Sequence, residues 1–170
     1  AYHKVCIRAF LRKSPANRFC PECKYPVLRV NQLLQIPDGS GTLWRPSGAT
    51  YDGQFQNGQY NGQGTYTNPN GGTYVGAWQN GRPNGQGTRT DPDGATYVGA
   101  WQDGMRSGQG TYTQSNGITY VGAWQDGVKS GQGTETYPDG GVYVGAFQNG
   151  EPNGQGTMNY GDGDTYVGEW

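Results

Sequence analysis

Cysteine and histidine are missing from residue 24 onward, because all three Cys and the one His stand before it. That long remainder offers no nucleophile–base pair, and catalysis within it is not expected. Phe, Met, Leu and Ile are scarce, with four Phe and two Met in 170 residues. Such a chain cannot fill a thick two-layered core, but it can fill a thin sheet with one aromatic face. No apolar run approaches the ~18 residues of a spanning helix, and the start AYHKVCIRAF lacks the apolar stretch of a secretory signal. What is abundant is glycine, 32 of 170 residues, well above the typical ~7%. The glycines do not fall at every third position, which excludes collagen. An aromatic content of 13% argues against simple disorder.

The net charge of −1 conceals a split. Residues 1–38 carry +5, with Lys4, Arg8, Arg12, Lys13, Arg18, Lys24 and Arg29 against Glu22 and Asp38. Residues 39–170 carry −6, and their five cations (Arg45, Arg82, Arg89, Arg106, Lys129) are dispersed. The charge break coincides with a composition break, so a domain boundary is placed at Asp38. Binding of nucleic acid or anionic lipid needs a basic patch. The acidic balance therefore argues against nucleic acid and ranks membrane lipid low.

Tyr51, Tyr74, Tyr97, Tyr120, Tyr143 and Tyr166 recur every 23 residues. Four residues after each stands Phe55, Trp78, Trp101, Trp124, Phe147 or Trp170. A Gly lies midway in each pair, a turn Gly follows, and G-Q-G-T closes the pattern, as in Gly85-Gln86-Gly87-Thr88. Five full units run from Tyr51 to Thr165, with partial units on both sides. A fixed period of this length marks a repeat architecture. Each unit reads as a β-hairpin. In Thr73–Gln79, alternation puts Tyr74, Gly76 and Trp78 on one face and Val75 and Ala77 on the other. Asn80-Gly81 makes the turn, since both tolerate positive φ. The second strand is expected to start near Gly87, and Pro92-Asp93-Gly94 turns the chain back. Asp93, Asp103, Asp126 and Asp139 read as turn formers. Stacked units align the Tyr residues with one another and the Trp/Phe residues likewise, giving two internal aromatic ladders. The intervening Gly lets a ring lie across the backbone.

The pattern Y-V-G-x-W-x-x-G-x-x-x-G-x-G-T resembles the MORN repeat over about 130 residues. The expected fold is all-β, a single-sheet solenoid of stacked antiparallel β-hairpins. The resemblance implies protein–protein contact and scaffolding. It also carries membrane-lipid binding and homodimerisation through terminal repeats as further properties of the family.

Upstream, His3, Cys6, Cys20 and Cys23 form H-x-x-C and C-x-x-C pairs, a spacing suited to tetrahedral Zn2+. Between them, Cys6-Ile7-Arg8-Ala9-Phe10-Leu11 has apolar positions at helical spacing, so one short helix is expected, ended by Ser14-Pro15. Residues 1–27 resemble the second half of a RING finger, especially the RING-CH variant, and residues 28–38 read as a linker or cap for the array. A complete RING holds two zincs in a cross-brace and needs two further ligand pairs upstream. We therefore expect either a piece of a longer protein or four ligands gathered on one zinc. The RING resemblance implies an E3 ubiquitin ligase that binds a ubiquitin-loaded E2. On that resemblance Phe10, Pro21 and Lys24 occupy the E2-contacting positions, with Phe10 replacing the usual Trp. Core packing of a small zinc domain explains Phe10 equally well.

The functional expectation is an interaction scaffold or targeting module with protein partners. The alternatives are a RING-type ligase using the repeats to recruit substrate, and peripheral lipid binding through the repeats. Zinc-type thiols suit a reducing compartment, so the cytoplasm is expected, with attachment to membrane or cytoskeleton left open.

Overall fold

The computed structural model describes residues 6–8 and 38–170. Among the described residues there is no helix; the secondary structure is entirely strand. The described chain falls into two units, one through Arg82 and one from Pro83.

The first unit holds β1 (Cys6–Arg8), β2 (Gly39–Trp44), β3 (Thr50–Gln56), β4 (Gln59–Thr67) and β5 (Thr73–Gln79), hydrogen-bonded in that order. The pairs from β2 to β5 are antiparallel. β1 instead runs parallel to β2, Cys6 beside Thr42 and Arg8 beside Trp44. Cys6–Arg8 is thus extended, where helical spacing had suggested the start of a helix. The outer edge of β2 presents unpaired N–H and C=O groups, and an extended segment satisfies them as a helix cannot.

The second unit holds β6 (Arg82–Thr90), β7 (Thr96–Gln102), β8 (Met105–Thr113), β9 (Thr119–Gln125), β10 (Val128–Thr136), β11 (Val142–Gln148), β12 (Glu151–Asn159) and β13 (Thr165–Glu169). Neighbours in sequence pair antiparallel. Each unit is therefore one open layer of hairpins.

The hairpin turns follow from their residues. Asn57, Asn80, Asp103, Asp126 and Asn149 all have φ near +50°, and the next Gly is positive as well. Two consecutive positive φ values define the type I′ turn, whose twist matches that of the flanking strands. The turns at the opposite end close on side chains. Asp93 Oδ1 accepts from the Ala95 N–H at 3.0 Å, and Asp139 Oδ1 from the Gly141 N–H at 2.9 Å.

The second strand of each hairpin starts earlier than expected, at Arg82 and not near Gly87. A bulge explains the difference. In β3/β4, Phe55 pairs with Tyr60 and Gly53 with Gly64, so Asn61, Gly62 and Gln63 stand opposite Gln54 alone. Ser107, Gly108 and Gln109 do the same opposite Ala100. The bulge Gly has φ of +67° at Gly62 and +62° at Gly108, a backbone state that glycine reaches without a Cβ penalty.

Candidate functional site

One face of the sheet is built from rings. Tyr51, Phe55, Tyr74 and Trp78 are buried in the first unit; Tyr97, Trp101, Tyr120, Trp124, Tyr143 and Phe147 are buried in the second. Tyr166 and Trp170, on the last strand pair, are substantially exposed. The rings do not form two separate ladders. Tyr51, Tyr97, Tyr120 and Tyr143 instead each meet edge-to-face both the ring four residues on and the corresponding ring of the next repeat. Tyr97 lies 5.1 Å from Trp101 and 5.2 Å from Trp124; Tyr120 lies 5.3 Å from Trp124 and 4.8 Å from Phe147. Within each unit Tyr thus alternates with Trp or Phe in a herringbone. The ring quadrupole favours this geometry over face-to-face stacking, and each such pair is worth about 0.5–1.5 kcal/mol beyond burial.

Both polar tips are satisfied. The Tyr97 hydroxyl donates to the Ala100 carbonyl at 2.9 Å, and Tyr51, Tyr74, Tyr120 and Tyr143 repeat this bond three residues along. The indole N–H of Trp78, Trp101 and Trp124 donates to the carbonyls of Gly64, Gly87 and Gly110. To reach its acceptor, the ring of Tyr51, Tyr97, Tyr120 or Tyr143 lies over a cross-strand Gly pair such as Gly99–Gly110. Burial pushes the hydroxyl pKa of Tyr51, Tyr74, Tyr97 and Tyr120 up to about 12. Neighbouring Tyr60 adds to this at Tyr51, and Glu135 at Tyr120.

Two columns on this same face differ from repeat to repeat. One holds Tyr60, Pro83, Arg106, Lys129 and Pro152, each two residues after the Gly of a hairpin turn. The other holds Tyr66, Arg89, Tyr112, Glu135 and Met158. Their register places them beside the rings, with Arg106 opposite Trp101 and Tyr112 opposite Tyr97. In the first unit, Tyr60 stacks on Tyr51 at 3.8 Å between centroids, and Arg45 donates twice to the Tyr60 hydroxyl, at 3.0 and 2.9 Å.

In the second unit, Lys129 lies over the rings of Tyr120 and Phe147 and is ion-paired to the buried Glu135. Tyr137 also donates to Glu135, at 3.2 Å. Burial, then Glu135, pushes the Tyr137 hydroxyl up to about 12. Arg106 lies 4.4 Å over the Trp124 ring and 5.0 Å over Tyr112. Burial pulls its guanidinium below the ordinary value, and Arg89 reinforces this. Arg106 lines a cavity of about 240 Å³ with Arg89, Asp91, Tyr97, Trp101 and Tyr112.

The opposite face carries Val75 in the first unit and Val98, Val121, Val144 and Val167 in the second, all exposed. Their cross-strand neighbours are Thr, as in Thr88–Val98 and Thr111–Val121.

Sequence reasoning found the rings and their face. It missed the two variable columns, although their 23-residue spacing was available: they follow the same period while changing residue type. The zinc-type and E2-type residues His3, Phe10, Cys20, Pro21, Cys23 and Lys24 lie outside the described residues, and Cys6 is described only as part of β1. Among the described residues no cluster of His, Cys, Asp and Glu could hold a metal ion.

The fold and its ring-faced sheet define a β-hairpin repeat protein. Residues 51–73, 74–96, 97–119, 120–142 and 143–165 each match the MORN repeat, and the chain belongs to the MORN-repeat family. No curated protein matches it significantly. Among solved structures, the chain is similar to the SAS-4 (dCPAP) TCP domain in complex with a proline-rich motif of Ana2 (dSTIL) of Drosophila melanogaster. That likeness has 12% identity and a TM-score of 0.47, over 76% of this chain and 71% of the other.

Proposed function

We propose that the array is a protein-interaction scaffold that binds its partner through the ring-lined face. One observation carries this reading: the positions that change character from repeat to repeat, such as Tyr60, Arg106 and Lys129, sit on that face beside rings that are aromatic in every repeat. The recurring Tyr, Trp and Gly residues are used in building the sheet. The changing residues are the ones through which such a face can distinguish partners. Arg and Tyr, enriched there, are also the residue types that dominate binding energy at protein interfaces.

Paired substitutions test it in a pull-down with the full chain. Arg106→Gln with Tyr112→Ser should abolish partner capture, whereas Val98→Thr with Val121→Thr should leave it intact. The reverse pattern would assign binding to the Val face and sink the proposal.

A ubiquitin-ligase reading rests on the His3, Cys6, Cys20 and Cys23 spacing. Those residues would hold Zn2+, with Phe10, Pro21 and Lys24 facing an E2. A ubiquitin-discharge assay with the complete protein and a broad E2 panel tests it, and no discharge would end it. Lipid binding is the weaker alternative, because the array carries −6; tight co-sedimentation of residues 39–170 with anionic liposomes would reverse that ranking.

A further inference from the structure

We propose that the cavity around Arg106 is a subsite for a carboxylate on an acidic segment of the partner protein; this deepens the ring-face reading above and rests on it. Three cations sit over rings in the described residues. Arg45 is spent on the Tyr60 hydroxyl, and Lys129 is neutralised by Glu135. Arg106 has no such partner. The one acid lining its cavity, Asp91, is held by Arg89 at 2.7 Å. The cavity therefore gathers two guanidinium groups against one carboxylate, within an array that is otherwise acidic.

The rings of Trp124, Tyr112 and Tyr97 surround the guanidinium, with centroids 4.4, 5.0 and 5.6 Å from its central carbon. Among the described residues no ion pair or side-chain hydrogen bond takes up its N–H donors, which a guanidinium presents as a planar fork to an acceptor. A carboxylate matches them in bidentate fashion. The half-buried setting strengthens that pair relative to open water. At about 240 Å³, the cavity is smaller than the roughly 300–1,000 Å³ of small-molecule sites, and it suits an amino-acid side chain. Tyr112 and Met105 on its wall supply apolar contact for a neighbouring residue. A protein segment with Asp or Glu beside an apolar residue fits this chemistry. A membrane does not, because its anionic surface would meet the array's own negative charge.

The test is selection of a displayed random-peptide library against the full chain. We expect enrichment of peptides carrying Asp or Glu next to an apolar residue. Arg106→Gln should weaken the selected peptides at least about tenfold, the loss expected when a buried charge pair loses one partner. Arg82→Gln removes the same charge from an exposed position and should change affinity less than about twofold if steering alone is involved. If Arg106→Gln lowers the unfolding midpoint, Arg89→Gln serves instead. Arg89 is exposed, and its loss frees Asp91 to occupy Arg106, so binding should again fall. Selected peptides that are neutral or basic, and survive Arg106→Gln, would overturn the acidic assignment while leaving the ring face as the binding surface. Failure to select any peptide would overturn both. Vesicles containing phosphatidylserine that bind in an Arg106-dependent way would give the subsite to a lipid headgroup and overturn the protein assignment.

Discussion

Tyr120 occupies the space that a side chain on Gly133 would need: a Cβ built there would stand 2.4 Å from ring carbon Cε2. The same relation ties Tyr97 to Gly110 and Tyr143 to Gly156. The ring-faced sheet thus depends on glycine where no turn demands it. Gly133→Ala should destabilise the chain by about 1–3 kcal/mol or more, the usual cost of overpacking. Gly127→Ala, in a turn with φ of +86° and open space around it, should cost only the backbone strain of about 1 kcal/mol. Urea unfolding midpoints rank the two. Equal effects would mean that the ring does not lie over Gly133.

The buried hydroxyls give the array an alkaline limit. Folded, Tyr51, Tyr74, Tyr97 and Tyr120 hold their protons to about pH 12, against an ordinary value of 10.0. Between those values the unfolded chain binds fewer protons than the folded one, so stability falls as pH rises. Below about pH 10 these groups leave stability unchanged. Tyrosinate absorbance should therefore rise in two stages, first from exposed residues and then together with unfolding. A single smooth titration at the ordinary value, with the circular dichroism unchanged, would contradict this.

Lys129, largely covered, pairs with the buried Glu135. Lys129→Pro alone strands the carboxylate and should cost about 3–5 kcal/mol. The unit at 143–165 carries Pro152 and Met158 at the two corresponding positions. Lys129→Pro with Glu135→Met should therefore recover most of that loss. A double-mutant cycle in thermal unfolding measures the coupling, and additive losses would show that the pair is not coupled.

Much of the hairpin was legible because one period controls it. Tyr97, Gly99 and Trp101 alternate onto one face, and Asp103-Gly104 can only turn there. The herringbone was not legible. Whether Tyr97 meets Tyr120 or Trp124 depends on sheet stagger, which the sequence does not display. The early start of β6 escaped for a related reason: Gly85-Gln86-Gly87 looks like loop, yet its first glycine lies inside a strand, with φ of +98°. Arg106 and Lys129 escaped because a search for recurrence passes over what varies. Residues 1–5 and 9–37, with most of the zinc-type motif, lie outside the described residues.

Tryptophan emission separates core rings from edge rings. Of five Trp residues, Trp78, Trp101 and Trp124 are buried, while Trp44 and Trp170 are 38% and 41% exposed. Acrylamide quenching should show a protected and an accessible population, and Trp44→Phe with Trp170→Phe should remove the accessible one. Uniform strong quenching would contradict an internal herringbone.

The central claim is that partners meet the ring-lined face. A photo-cross-linking residue at position 112 lies on that face, and one at position 121 lies on the Val face. Irradiation with the partner bound should give a covalent adduct from Tyr112→benzoylphenylalanine and none from the same change at Val121. An adduct from position 121 alone would contradict the account.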